Sequence, residues 1–203
     1  MSTALITGAS RGLGAAIARQ LAPTHDLLLG GRPSAELDAL ATELDGAGSG
    51  ASGPNSHRAS TFAVDLTDHE EVEAAAEAIS SLDVLVHSAG VGSSLLPVGE
   101  TPVDEWRHLL EVNLIAAAEL TRVLLPALRA SGGHVVFINS GAGLRANPGW
   151  AAYAASKFGL RALADALRLE EPSLRVTSVF PGRIDTDMQR DLIAIEGKEY
   201  DPG

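Results

Sequence analysis

Short apolar runs alternate with longer stretches of helical periodicity along the whole chain. The apolar runs are rich in Val, Ile, Leu and Phe and predict six buried strands, at residues 3–7, 26–30, 59–64, 84–87, 134–139 and 175–180. Helical patterns fill the intervals, at residues 12–21, 34–44, 69–80, 103–130 and 153–169. Such alternation is typical of a parallel sheet with helices on both faces, so we expect a three-layer, doubly wound α/β fold.

Several local signals indicate where the helices begin and end. Thr67 followed by Glu70, and Thr101 followed by Asp104, resemble the polar pairs that open helices. Pro126 is expected to kink or divide the long fourth helical pattern, because proline lacks the amide that a helix interior needs.

One segment breaks the pattern, the Gly-, Ser- and Pro-rich run at residues 46–56, which we interpret as a flexible surface loop. It is too short and too early in the chain to separate two domains. A length of 203 residues suits one well-packed core, so a single domain over residues 1–203 is expected.

Composition argues against several classes of function. The formal net charge of −11 would repel a phosphate backbone, so no nucleic-acid partner is expected. No stretch approaches the roughly 20 continuous apolar residues of a membrane span, so no membrane contact is expected either. The absence of cysteine excludes disulfides and weakly favours a cytoplasmic location. The six histidines are scattered, so no metal site is expected.

The first predicted strand runs into the sequence TGASRGLG, which places Gly8, Gly12 and Gly14 at a strand-to-helix turn. Glycines there allow a tight backbone and let a pyrophosphate approach the amides that open the next helix. The same glycines could serve only a tight turn with close helix packing. Their place after the first strand favours a Rossmann-type dinucleotide site, which would include Ser10 and Leu13 of the same turn.

Two arginines indicate which nicotinamide cofactor is preferred. Many NAD-binding folds place an acidic residue after the second strand, but here the sequence is LLLGGRP. Arg32 at that place, with Arg11 from the glycine turn, could hold a 2′-phosphate through charge-assisted hydrogen bonds. NADP(H) is therefore expected in preference to NAD(H), although both arginines could instead be solvated surface groups.

Tyr153 and Lys157 lie four residues apart in the last predicted helix, so their side chains share one face. A phenol has an ordinary pKa of about 10, and a nearby cation would suit it to proton transfer near neutrality. An exposed Tyr–Lys pair at this spacing is also common on helices. Ser140 at the carboxyl end of the fifth strand favours the catalytic interpretation. So does the scarcity of lysine, which supplies two of fifteen basic residues.

These motifs, in this order, resemble the short-chain dehydrogenase/reductase family, in the branch with a GxxxGxG turn and a YxxxK helix. TGASRGLG matches the cofactor turn, VDLTD the segment near the adenine, HSAG the fourth-strand motif and VNL the helix asparagine. YAASK matches the catalytic helix and PGRIDT the exit of the sixth strand. The resemblance covers nearly the whole chain.

The resemblance implies a hydride passing between nicotinamide C4 and a carbonyl or carbinol carbon, with Tyr153 as the general acid/base. Ser140 would then bind the substrate oxygen, and Asn113 would support a water-linked proton path. Lys157 would lower the pKa of Tyr153 and hold the nicotinamide ribose. The same motifs imply further cofactor contacts at Asp65, Leu66, Ser88, Ala89, Gly90, Pro181, Gly182, Ile184 and Thr186.

Some of these residues also have structural interpretations. Asn113 could break the helix for packing reasons, Asp65 could cap the turn DLTD, and Thr186 could cap a short helix. His87 and Ser88 replace the family's usual asparagine pair, and we interpret His87 as a structural histidine rather than a proton relay.

The end of the sequence departs from the family pattern. Family members usually continue with another helix and a seventh strand, whereas this sequence stops at EGKEYDPG. Either it is truncated or the protein is a shortened form whose exposed sheet edge would favour association, and we expect a homodimer or homotetramer. The segment at residues 181–197 is expected to lie over the site, where Met188, Leu192 and Ile193 could line the substrate pocket or serve ordinary helix packing.

The leading hypothesis is an NADPH-dependent carbonyl reductase or alcohol dehydrogenase acting on a small or medium-sized apolar carbonyl or alcohol substrate. An alternative from another class is a catalytically inactive, cofactor-binding regulatory or scaffold protein of the same fold. A sugar-nucleotide epimerase or dehydratase is a third hypothesis, although such chains generally need a larger C-terminal substrate domain.

Overall fold

The computed structural model of the chain describes residues 2–46 and 57–182, together with residues 190 and 195. Within this part, one parallel sheet has the strand order β3-β2-β1-β4-β5-β6. Its order reverses between β1 and β4, so the chain winds outwards in both directions from the centre, and the Rossmann-type fold is confirmed. The strands are β1 (Thr3–Thr7), β2 (Asp26–Gly31), β3 (Ala59–Ala63), β4 (Val84–His87), β5 (His134–Ile138) and β6 (Arg175–Val179).

Helices connect these strands and cover both faces of the sheet. A π-helical turn, Glu111–Ile115, joins α4 to α5, and a 3₁₀ turn, Gly141–Gly143, precedes α6. Over the described ranges, no helix is both long enough and apolar enough to cross a membrane. The helices are α1 (Gly12–Leu21), α2 (Ala35–Leu44), α3 (His69–Ala76), α4 (Val103–Leu110), α5 (Ala116–Ser131) and α6 (Ala151–Glu170).

The core lies on both sides of the sheet, because successive strand residues point to opposite faces. Leu5 and Phe137 belong to the face covered by α3, α5 and α6. Ile6 and Leu29 belong to the face covered by α1 and α2, and all four side chains are fully buried. Parallel pairing in a fixed register then brings the carboxyl ends of β1, β4 and β5 to one edge of the sheet.

Helix α3 begins at His69, as predicted, but its capping residue differs from the prediction by one position. The helix is capped by Asp68, whose side chain accepts a hydrogen bond from the amide of Glu71. The Thr67 and Glu70 pair is therefore not the capping pair. Thr67 instead uses its amide and hydroxyl to bind Asp65, at 3.0 Å and 2.8 Å.

Helix α4 begins at residue 103, as predicted, but Thr101 is not its capping residue. The helix begins after Pro102, which has no side chain that could cap it. The Thr101 hydroxyl instead donates to the carbonyl groups of Leu96 and Pro97, at 3.0 Å each. Thr101 therefore closes the loop before the helix rather than opening the helix.

The long fourth helical pattern is interrupted, but not at Pro126. Helix α5 continues through Pro126 to Ser131, and the irregular turn lies earlier, around Asn113. A proline removes a single backbone hydrogen bond, which a well-packed helix can lose. The strand ends differ from prediction by at most one residue, and α3 is shorter at its C-terminus. Apart from Gly46, the predicted surface loop lies outside the described residues.

Candidate active site

The glycine turn and the segment after β4 are held together by one side chain, that of Thr7. Its hydroxyl oxygen accepts hydrogen bonds from the amides of Ser88 and Ala89, at 3.0 Å each, and donates to the Val86 carbonyl at 3.3 Å. The hydroxyl is buried at the end of β1. Sequence reasoning missed this residue, because nothing local shows that its partners lie about 80 positions away.

The glycines of the turn are required by backbone conformation and by close approach. Gly8 has a φ of +67°, and a Cβ there would lie 2.8 Å from the Cα of Ala89. Gly12 has a φ of +56°, which residues with a side chain rarely adopt. A Cβ on Gly14 would overlap the carbonyl oxygen of Gly8. The glycine turn therefore packs directly against the segment that follows β4.

The N-terminus of α1 is open to a ligand. Its N-cap residue, Arg11, is exposed and makes no side-chain capping hydrogen bond. The first amides of the helix therefore keep the partial positive charge that favours an anion. Ser10 and Leu13, on either side of Arg11 and Gly12, are partly exposed in the same turn.

Arg32 and Asp65 follow the ends of β2 and β3 and face the same region. Arg32 is exposed, and its positive charge contributes to a lowered pKa at Asp65. The larger causes of that lowering are the backbone and side-chain hydrogen bonds from Thr67. Asp65 therefore does cap the turn DLTD, while Leu66 beside it packs partly against the core.

Ser140 and Tyr153 lie near each other at the carboxyl edge of the sheet, where the serine hydroxyl acts on the pKa of the phenol. Burial raises the pKa of Tyr153, and a side-chain hydrogen bond with Ser140 opposes that rise. The Ser140 hydroxyl also accepts the amide of Ala142 at 3.2 Å, which fixes the 3₁₀ turn after β5. The tyrosine side chain is only 7% exposed, so the phenol lies in a site with little water.

Lys157 approaches Tyr153 from one turn further along α6. Its Nζ atom lies 5.8 Å from the centre of the tyrosine ring and donates a hydrogen bond to the Ile138 carbonyl at 3.2 Å. Burial lowers the pKa of Lys157 to about 8. The expected lowering of the Tyr153 pKa by Lys157 stays a prediction, since the net direction at Tyr153 is upward.

Asn139 links the serine to the lysine and was not predicted. Its Oδ1 accepts the amide of Ser140 at 2.8 Å, and its Nδ2 donates to the backbone carbonyl of Lys157 at 3.2 Å. The residue is 4% exposed. A buried asparagine directly before the candidate serine, at the end of a strand, is the local signal that could have revealed it.

Asn113 lies in the π-helical turn, 2% exposed, and its carboxamide is fully engaged. Its Oδ1 accepts the Val91 amide at 2.8 Å, and its Nδ2 donates to the Val91 carbonyl at 3.0 Å and to Ser156 Oγ at 3.1 Å. Ser156 in turn donates to the Tyr153 carbonyl at 2.7 Å. The side chain of Asn113 therefore joins the β4 exit to α6.

Gly90 brings the segment that follows β4 close to Asn113 and Lys157. A Cβ on Gly90 would lie 3.1 Å from Asn113 Oδ1 and 3.7 Å from Lys157 Nζ. The structure thus brings together Asn113, Ser140, Tyr153 and Lys157 beside Ser88, Ala89 and Gly90. Pro181 and Gly182 follow β6, whereas the predicted residues Ile184, Thr186, Met188, Leu192 and Ile193 lie outside the described residues.

His87 is a buried, neutral histidine. Its Nε2 pairs with the Thr121 hydroxyl at 2.8 Å, and its ring stacks on Phe137 with centroids 4.8 Å apart. Burial lowers the pKa of His87 to about 3. The Thr121 hydroxyl donates to the Ala117 carbonyl at 2.7 Å, so its oxygen can accept and His87 carries its proton on Nε2.

Comparison with known proteins gives one consistent result. The family model described as short chain dehydrogenase matches residues 2–196. Among curated relatives, glycine betaine reductase ATRR of Emericella nidulans is 38% identical over 91% of this chain but only 14% of its own length. Trans-4-hydroxycyclohexanecarboxylate dehydrogenase of Sinomonas cyclohexanicum is 36% identical, covering 93% of this chain and 74% of the relative. Benzil reductase ((S)-benzoin forming) IRC24 of Saccharomyces cerevisiae is 32% identical, covering 93% of this chain and 73% of the relative.

Solved structures agree with the sequence relatives. The KRED1-Pglu enzyme superposes with a TM-score of 0.86 at 33% identity, covering 97% of this chain and 80% of that one. An alcohol dehydrogenase from the archaeon Thermococcus sibiricus, complexed with 5-hydroxy-NADP, superposes with a TM-score of 0.83 at 31% identity. The match covers 93% of this chain and 79% of that one. The chain therefore belongs to the short-chain dehydrogenase family of oxidoreductases, whose members bind a nicotinamide cofactor.

Proposed function

We propose that this chain is an NADP(H)-dependent carbonyl reductase or alcohol dehydrogenase in which Tyr153 is the general acid/base. The observation that carries the proposal is that Tyr153 lies near Ser140, with Lys157 one helical turn away, at the sheet edge next to the glycine turn. Ligands of open α/β sheets bind at this edge, where the strand order reverses.

The residues present fit a dinucleotide. Gly8 and Gly12 carry no side chains in the turn before α1, whose N-terminus has no side-chain cap, so a pyrophosphate can reach the helix amides. Gly90 likewise has no room for a side chain next to Asn113 and Lys157. When bound, the nicotinamide supplies or accepts the hydride of the reaction.

Arg11 and Arg32 support a preference for NADP(H). Both are exposed cations at the glycine turn and at the end of β2, where the adenosine ribose of a dinucleotide lies. A 2′-phosphate there would receive charge-assisted hydrogen bonds from the guanidinium groups. The NADP-type ligand of the Thermococcus structure is consistent with this proposal for a relative of the same fold.

Proton transfer in the reducing direction follows from the geometry of three side chains. As hydride reaches the carbonyl carbon, the C=O electron pair moves to oxygen, which takes the proton of the Tyr153 hydroxyl and leaves a phenolate. Ser140 donates a hydrogen bond to the same oxygen, and the ammonium of Lys157 stabilises the phenolate until solvent returns the proton. A tyrosine with a raised pKa keeps its proton at neutral pH but gives it up less readily, so transfer depends on the stabilisation of the phenolate by Lys157.

The inactive scaffold protein is not favoured, because Ser140, Tyr153 and Lys157 are all present and lie together.

The substrate is proposed to be a small carbonyl or alcohol compound. The protein is further proposed to be a cytoplasmic homodimer or homotetramer. Light scattering during size-exclusion chromatography would measure the assembly, and a monomeric mass would contradict it.

The test of the function follows NADPH absorbance with a panel of ketones, aldehydes and quinones that includes cyclohexanone and benzil. The matched variant is Tyr153→Phe, which removes the proton and keeps the ring. We expect turnover in the wild type and a loss of about 100-fold or more in the variant, the size of a general acid contribution. Equal turnover in the two proteins would contradict the role of Tyr153.

A further inference from the structure

In the loop between β4 and α4, the carboxylate of Glu105 binds two consecutive serines. Its Oε1 accepts the Ser93 hydroxyl at 3.0 Å and the Ser94 amide at 2.9 Å, and its Oε2 accepts the Ser94 hydroxyl at 2.6 Å. The Ser93 hydroxyl oxygen also accepts the amide of Leu95 at 3.2 Å. Two consecutive loop amides are thus satisfied by this small network.

Glu105 keeps its charge in this position. Burial acts to raise its pKa, but the hydrogen bonds from Ser94 and Ser93 outweigh burial and hold the pKa below its ordinary value. A carboxylate is an acceptor only, so all its neighbours in the loop are donors. In each hydrogen bond to Glu105, the serine is therefore the donor and the carboxylate is the acceptor.

The residue after the clamped pair is in a strained conformation. Leu95 has a φ of +60°, and no other non-glycine residue within the described part of the chain has a positive φ. Leucine avoids this region because its Cβ crowds the backbone, so the surrounding contacts must impose it. The hydrogen bonds to Ser93 and Ser94 directly before Leu95 supply that constraint.

The strained residue touches the segment that leads into the catalytic helix. Gly149 has a φ of +80°, and a Cβ there would lie 2.5 Å from the carbonyl oxygen of Leu95. Trp150 follows at once, and its ring meets that of Tyr153 edge to face with centroids 5.7 Å apart. The position of the loop is therefore coupled through Gly149 and Trp150 to the space beside the proposed acid.

The other end of the same loop begins at the cofactor segment. Val91 follows Gly90, has both backbone groups bound to Asn113, and packs in one cluster with Tyr153 and Trp150. The start of the loop is thus anchored at the candidate site, and its middle is anchored at the segment that leads into α6. Glu105 lies at neither end and acts on the middle, where the chain meets Gly149.

We propose that Glu105 is a positioning residue for substrate specificity, which holds the loop at residues 91–99 against Gly149 and Trp150 as a preformed apolar wall of the substrate site. The proposal rests on the proposed function, because it assumes that a carbonyl compound is bound next to Tyr153. The wall favours an apolar substituent on the carbonyl, since Val91 of the loop packs in one apolar cluster with Tyr153 and Trp150.

Four variants separate the clamp from general effects of the mutation. Glu105→Ala removes every acceptor, whereas Glu105→Gln keeps one acceptor oxygen and a donor that the Ser94 hydroxyl can accept. Asp104→Ala is the matched control, because Asp104 is the preceding residue of α4 and pairs on the surface with Arg107. Gly149→Ala disturbs the opposite side of the contact without touching Glu105.

The first measurement is hydrogen exchange of the peptide covering residues 91–96. We expect faster exchange in Glu105→Ala, largely restored protection in Glu105→Gln, and no change in Asp104→Ala. The fluorescence of Trp106 and Trp150, the two tryptophans of the chain, should change with Glu105→Ala and not with Asp104→Ala. Unchanged exchange in Glu105→Ala would overturn the clamp, whatever the activity of the protein.

The second measurement compares cyclohexanone and benzil, by kcat/KM and by quenching of tryptophan fluorescence in the NADPH complex. We expect the preference between them to shift by about fivefold or more in Glu105→Ala and Gly149→Ala, mainly through KM, with NADPH affinity within about twofold of the wild type. Equal losses for both ketones, or a loss of NADPH affinity, would mean that Glu105 only stabilises the fold. A wild type that neither binds nor reduces any ketone would refute the proposed function. In that case, faster hydrogen exchange of residues 91–96 in Glu105→Ala would still show the clamp, but not its proposed role in specificity.

Discussion

The side chain of Asn139 donates to the backbone carbonyl of Lys157 across 18 positions of sequence, at 3.2 Å. The same carboxamide accepts the amide of Ser140, so one buried residue sets the distance between the strand that carries the serine and the helix that carries the lysine. Gly143 is packed against both partners, because a Cβ there would lie 2.9 Å from the Lys157 carbonyl and would overlap Asn139 Oδ1.

Replacing Asn139 with alanine should harm both stability and catalysis. The partly buried amide of Ser140 loses its acceptor, which costs about 1 kcal/mol of the free energy of unfolding. We also expect kcat to fall by about tenfold or more, because Ser140 and Tyr153 are no longer held in register. Urea unfolding and steady-state kinetics measure the two effects. Asn147→Ala, at an exposed position of the next loop, is the control and should leave both unchanged.

Gly8→Ala is expected to abolish cofactor binding. The new Cβ would lie 2.8 Å from a backbone atom of Ala89 at a φ of +67°, so the glycine turn and the segment after β4 must move apart. The affinity for NADPH, measured by fluorescence titration, should fall by about 100-fold or more. In contrast, Gly99→Ala meets no atom within 4 Å and should bind NADPH like the wild type. Wild-type affinity in Gly8→Ala would show that this close packing is not needed.

Arg32→Ala tests the preference between the two cofactors. Loss of a charge-assisted hydrogen bond to the 2′-phosphate should raise the Kd for NADPH by about tenfold and leave the Kd for NADH unchanged. Arg107→Ala removes an equally charged, exposed group away from the cofactor edge and serves as the control. If the wild type binds NADPH and NADH equally well, the proposed preference for NADP(H) is wrong.

His87 should make the stability of the protein depend on pH. Its pKa is about 3 in the folded protein, because of burial, against about 6.5 in an unfolded chain. Between these values the unfolded chain binds a proton that the folded protein does not, so this contribution to stability is complete above pH 6.5 and is lost as the pH falls. The slope attributable to one such group is up to about 1.4 kcal/mol per pH unit.

The measurement compares the free energy of unfolding of the wild type and His87→Asn from pH 7 to pH 4. Asparagine can still donate to Thr121 and does not titrate. The free energy of unfolding of His87→Asn should therefore fall less steeply with falling pH, by up to about 1.4 kcal/mol per pH unit. His108→Asn, at an exposed position of α4, is the control and should follow the wild-type curve. Parallel curves for the wild type and His87→Asn would contradict a neutral, buried histidine at this position.

Much of the fold could be predicted from local sequence patterns. Buried strands and amphipathic helices are set by the order of apolar and polar residues, so the bounds of β1, β4 and α1 agree with the prediction. The glycine turn and the four-residue spacing of Tyr153 and Lys157 are local in the same sense. The capping residue depends on which single side chain the folded loop places at the helix start, which is why Asp68 and Pro102, and not the threonines before them, precede α3 and α4.

The sequence by itself determined the class of fold, and it predicted the edge of the sheet and the residues at which we propose that proton transfer takes place. Only the tertiary structure decided what holds these residues in place. Thr7 meets Ala89, Asn113 meets Ser156, and Glu105 meets Ser94 because folded elements bring distant or unrelated positions within hydrogen-bond reach. Propensity and periodicity depend on neighbours along the chain, whereas a buried polar group takes its partner from whatever the packing places beside it.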